Sequence, residues 1–115
     1  MDEKLSKALD FANYTRTFED QKTQIKEKYF DSLVYFYNGG QFTVDKTLVT
    51  FVSLLSSKQE SAILIDDNDN PLKIDNLQDF LDSILDLYFQ SSNAYFTKLT
   101  ELKTKRSIEK LVEYD

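Results

Sequence analysis

Apolar residues recur at helical spacing along two long segments, Glu3–Tyr37 and Asn76–Glu113, with a short middle of different rhythm between them. In the first segment Leu5, Ala8, Phe11, Ala12, Phe18, Ile25, Tyr29, Leu33 and Phe36 form a stripe. Phe11, Phe18 and Ile25 stand seven apart, and Tyr29 and Phe36 extend a second series of sevens. Thr15 and Lys22 interrupt the stripe, so it is no uniform leucine zipper. Asp2 is placed to cap this helix, and Asn38-Gly39-Gly40 to stop it. The second segment starts at Asp75 and Gln78, a pair resembling a capping box. It carries Leu77, Phe80, Leu81, Ile84, Leu85, Tyr88, Phe89, Tyr95, Phe96, Leu99 and Leu102 in a face wide enough for two neighbours. The pattern predicts helices over 2–37 and 76–113, each about 50–57 Å long.

The middle, 38–75, changes period. Phe42 and Val44 alternate within Gln41–Val44, as in a short edge strand. Asp45 is placed to cap a helix through Ser56 that would bury Leu48, Val49, Phe51, Val52 and Leu55. Ala62–Ile65 and Pro71–Ile74 flank the turn-rich Asp66-Asp67-Asn68-Asp69-Asn70 and read as a β-hairpin. The expected order is α-β-α-β-β-α in one domain: mainly α with a small β element (α+β), two long antiparallel helices forming a stalk with a small α/β head. A helix pair buries only one side of each stripe. Each large side chain left exposed forgoes about 1.5–3 kcal/mol, so the pattern predicts a homo-oligomer, a dimer first.

Composition narrows the chemistry. The chain of 115 residues contains no His and no Cys, which removes histidine-based triads and thiol or imidazole metal sites. Its formal charge of −6 opposes attraction to phosphate backbones, so no nucleic-acid partner is expected. No apolar run is long enough to span a bilayer, and Met1-Asp2-Glu3-Lys4 does not begin a secretory signal. The expectation is a cytoplasmic, non-enzymatic protein with no cofactor and no metal.

Two surfaces stand out as candidate sites. Phe11, Phe18, Ile25, Tyr29, Leu85, Tyr88, Phe89, Tyr95, Phe96 and Leu99 form the candidate self-association face. Asp75, Asp79, Asp82 and Asp86 recur at four, three and four residues, which puts them on one helix face able to dock a basic protein partner. The bland reading of that stripe is a solvated surface. The loop Asp66–Asn70 resembles part of a calcium loop, but lacks the Gly at the sharp turn, and the twelfth position from Asp67 is Gln78. An exposed hairpin tip is the simpler account. Ser107-Ile108-Glu109-Lys110 matches S-x-x-K without companion motifs, and Gly39-Gly40 is not followed by Lys-Ser/Thr, so neither marks a site. The rival to assembly is an acidic regulatory module or inhibitor docking a basic host or viral protein.

Glu3–Tyr14 (EKLSKALDFANY), Asn38–Val52 (NGGQFTVDKTLVTFV), Ile63–Ile74 (ILIDDNDNPLKI) and Tyr88–Val112 resemble a small protein encoded by T-even-like marine bacteriophages. Such proteins are associated with head assembly, particularly the prohead core. The resemblance implies a scaffold that packs and is later removed, located in the host cytoplasm or the prohead, with no catalytic residues.

Overall fold

The computed structural model describes the backbone of residues 2–114 and the side chains of residues 2–108. Its elements are α1 (Glu3–Ser32), β1 (Val34–Tyr37), β2 (Gly40–Thr43), α2 (Lys46–Ser56), β3 (Ala62–Ile65), β4 (Pro71–Ile74) and α3 (Leu77–Tyr114). The fold is mainly α with a small β element, two long helices flanking two antiparallel two-stranded sheets. The chain divides into two compact units, Met1–Lys28 with Ala94–Asp115 (unit 1) and Tyr29–Asn93 (unit 2).

Helix α1 starts as its sequence predicts, with the Lys4 N–H donating to Asp2 Oδ1 at 3.0 Å. It ends earlier than 37. Val34-Tyr35-Phe36-Tyr37, all β-branched or aromatic, leave the helix as β1. Asn38-Gly39-Gly40 therefore stops no helix. Asn38 (φ 46°) and Gly39 (φ 82°) are the two central residues of a hairpin turn that pairs Tyr37 with Gly40 and Val34 with Thr43. Positive φ at both positions is the type I′ geometry that Asn-Gly favours. The observed order is thus α-β-β-α-β-β-α, with one more strand than the periodicity predicts.

The other two helix starts are capped by side chains. Asp45 Oδ1 accepts from the Leu48 N–H at 2.7 Å and starts α2. At α3 the cap is Asn76, whose Oδ1 accepts from the Asp79 N–H at 3.1 Å. Asp75 lies one residue too early for that role, and Gln78 instead donates to Asp82 at 3.0 Å. The β3–β4 hairpin forms over the predicted residues, with Leu64 opposite Leu72.

Every buried apolar residue among those described belongs to unit 2: Leu33, Phe42, Val44, Val52, Leu64, Ile74, Leu77, Phe80, Leu81 and Ile84. Phe51, by contrast, faces out of α2. The centre of this core is Phe80. Its ring meets Tyr35, Tyr37 and Phe42 edge-on at centroid distances of 5.6, 5.4 and 5.2 Å. Edge contacts of this kind add to simple burial, because the positive rim of one ring meets the negative face of another. They tie the β1–β2 hairpin to the first turn of α3. Phe80→Ala is expected to cost about 3–5 kcal/mol of stability, read as a lowered urea midpoint at unchanged m-value.

Candidate functional site

A network of side-chain hydrogen bonds lies where the two hairpins of unit 2 meet. Asp66, directly after β3, is only 5% exposed. Its Oδ1 accepts from the Asn68 and Asn70 N–H groups at 3.0 and 2.8 Å, which shapes the turn. Its Oδ2 accepts from the Gln41 N–H on β2 at 3.0 Å. Asp67 continues the junction: Oδ1 accepts from the Thr43 N–H at 3.1 Å and Oδ2 from the Thr43 hydroxyl at 2.7 Å. The Asp67 N–H donates to the Gln41 carbonyl at 2.8 Å. Two carboxylates thus take the place of a neighbouring strand along the outer edge of β2.

The turn is therefore no exposed tip at Asp66. Hydrogen bonds from Asn70 first, then Gln41, with a further one from Asn68, hold the Asp66 carboxyl below its ordinary value, against the opposing pull of burial. Gly40 is the steric counterpart. A Cβ there would fall 1.9 Å from Leu72 Cδ1 and 3.3 Å from Asp66 Oδ2, so any larger residue would force the Leu72 side chain to move aside. Among the described residues, no group of three or more His, Cys, Asp or Glu side chains converges as a metal site. The junction is built to hold two hairpins together.

The residues of the predicted self-association face are distributed among three environments. Tyr29, Leu85 and Tyr88 pack against the core of unit 2. Phe18, Ile25, Tyr95 and Leu99 are half-buried within unit 1. Phe11, Phe89 and Phe96 are exposed, at 49%, 56% and 73%. Within unit 1 the two helical segments are clasped by Tyr14 and Arg106. The Tyr14 hydroxyl donates to the Arg106 carbonyl at 2.5 Å, and Arg106 Nη2 donates to the Tyr14 carbonyl at 2.7 Å. The guanidinium lies 4.2 Å from the centre of the tyrosine ring. Sequence periodicity shows the apolar stripe but not this reciprocal clasp, which depends on residues far apart in the chain.

The acidic stripe is only partly continuous. Asp79, Asp82 and Asp86 are exposed on α3, whereas Asp75 precedes the helix and sits 3.8 Å from Lys73. A shallow groove of about 180 Å³ between α2 and α3 is lined by Lys46, Val49, Thr50, Leu85, Tyr88 and Phe89. Its lining combines one cation and the Thr50 and Tyr88 hydroxyls with apolar side chains. No helix among the described residues is long and apolar enough to cross a membrane. No known protein family, curated protein or solved structure matches the chain.

Two changes test the junction. Gly40→Ala is expected to lose about 1–3 kcal/mol through overpacking, measured by chemical denaturation. Asp66 has a folded pKa below its unfolded value of about 3.9, so its stabilisation is present above that pH and is lost as pH falls through the folded pKa. Asp66→Asn should lower stability at pH 7 and flatten its decline below about pH 4, followed by urea midpoints across that range.

Proposed function

We propose that the chain is a non-enzymatic assembly protein that associates with itself through the apolar side chains of unit 1. One observation carries the reading. No described residue of unit 1 is buried, although the unit exposes Leu5, Leu9, Phe11, Phe96 and Ile108. Leu5 and Leu9 lie one helical turn apart, so they share a face of α1. The Tyr14–Arg106 clasp joins the two segments but adds little apolar burial of its own.

A second copy offers the same exposed side chains, and a symmetric contact brings them together in pairs. Covering each large side chain is worth about 1.5–3 kcal/mol, so a few of them suffice for a stable dimer or larger bundle. The net charge of −6 argues against nucleic acid as the partner. The likeness to prohead-core proteins of T-even-like marine bacteriophages supports head assembly as the setting of this association, in the host cytoplasm or the prohead.

Sedimentation equilibrium over a wide concentration range tests the proposal. The expected result is a reversible dimer or larger species, with a melting temperature that rises with concentration. Phe11→Gln combined with Phe96→Gln should weaken association by about tenfold or more without changing the helical circular dichroism. A monomer at every concentration, with invariant melting, would overturn the reading.

A further inference from the structure

The four strand edges of unit 2 are treated differently. In the β3–β4 hairpin the Asp66 N–H donates to the Asn70 carbonyl, which makes 66 and 70 a hydrogen-bonded pair. Antiparallel pairing alternates, so Leu64–Leu72 and Ala62–Ile74 are bonded pairs as well. The N–H and C=O groups of Ile63 and Ile65 therefore point away from β4. Among the described residues no hydrogen bond reaches them.

The same alternation puts Pro71 and Lys73 on the outer edge of β4. Proline has no N–H to offer and lysine carries charge, the two usual guards of an edge strand. The outer edge of β2 presents Gln41 and Thr43, which are engaged by Asp66 and Asp67. By the same reasoning from the Val44–Leu33 bond, the outer edge of β1 presents Val34 and Phe36, of which Val34 is already half-buried. Only β3 combines two outward-bonding residues with two exposed β-branched side chains, each 59% exposed and with no charge along the strand.

We propose that β3 pairs edge to edge with β3 of a second copy, antiparallel, about a two-fold axis at Leu64. The register is self-complementary. Ile63 then faces Ile65 of the second copy and Ile65 faces its Ile63, so all four outward N–H and C=O groups find partners. Both isoleucines lie on the face opposite Leu64, where they meet their counterparts and leave water. The product is a four-stranded sheet ordered β4-β3-β3-β4. Pro71 and Lys73 guard both of its new outer edges, so the assembly closes at two copies. This interface rests on the strand edge alone and does not depend on the helical contact proposed for unit 1.

The cysteine-free chain permits a direct test. Full-length Ile63→Cys and Ile65→Cys proteins are purified separately, then oxidised alone and as an equimolar mixture. A bonded antiparallel pair stands about 5.5 Å apart at Cα, within disulfide reach, whereas identical positions lie across a diagonal of about 7–8 Å. The expected result is a disulfide dimer several-fold more abundant in the mixture than in either protein alone. Ile63→Lys combined with Ile65→Lys should also weaken self-association by about tenfold or more. Equal cross-linking in all three samples, no cross-linking, or unchanged association of the lysine variant overturns the proposal. If Phe11→Gln with Phe96→Gln abolishes association while the mixture fails to cross-link, the unit 1 reading stands and the strand pairing falls. If the mixture cross-links and association is indifferent to those two phenylalanines, the strand pairing stands and the unit 1 reading falls.

Discussion

Two hairpins of four-residue strands have too little surface to hold themselves together in water, and here they meet at a single buried carboxylate. Asp66 shapes its own turn with one oxygen and holds the first hairpin with the other. Asp67 extends the hold to Thr43. A buried carboxylate is costly unless its lone pairs are filled, and backbone N–H groups fill these. The same contacts satisfy the edge of β2, which otherwise would need another strand. Gly40 gives the junction its closeness, and Phe80 closes the apolar side of the same hairpin. Removing the carboxylate would loosen the turn, the strand edge and the packing above it together.

The chain divides its apolar residues unequally. Unit 2 holds the described buried core, whereas unit 1 keeps large side chains in contact with solvent. Scattered exposed leucines are ordinary on protein surfaces. What distinguishes unit 1 is their coincidence with the lack of any buried residue among those described. The assembly proposal rests on this contrast between a unit with a buried core and a unit with none among the described residues.

Much of the fold was legible because its signals are local. Asp2 and Asp45 cap the helices that their positions announce, and the 62–65 and 71–74 strands bracket a turn-rich run. The first hairpin was obscured because Tyr29, Leu33 and Phe36 continue a helical spacing into residues that fold as a strand. Asn38-Gly39 was the signal against it, since that pair favours a two-residue hairpin as strongly as glycine favours a helix end. The α3 cap was missed by one residue, Asn76 in place of Asp75, which also removed Asp75 from the helical acidic face. The turn that Asp66 shapes is a local signal, but its hold on the first hairpin had none, because Gln41 lies 25 positions away. The edges of the strands became readable only once the register was known.

Unit 2 is continuous in sequence, whereas unit 1 is assembled from the two ends of the chain. Its two pieces are separated by all of Tyr29–Asn93, so bringing them together first would require closing a long and flexible loop. Unit 2 can begin from shorter closures, since both of its hairpins form between near neighbours in sequence. Once it has folded, the hydroxyls of Ser32 and Ser91 stand 2.9 Å apart, and the chain leaves it at two points already side by side. The search that unit 1 must make is thereby shortened, and the expected order of folding runs from the middle of the chain toward its ends. Amide exchange should follow the same order in reverse, with the terminal helical segments opening at low cost and the interior of unit 2 last.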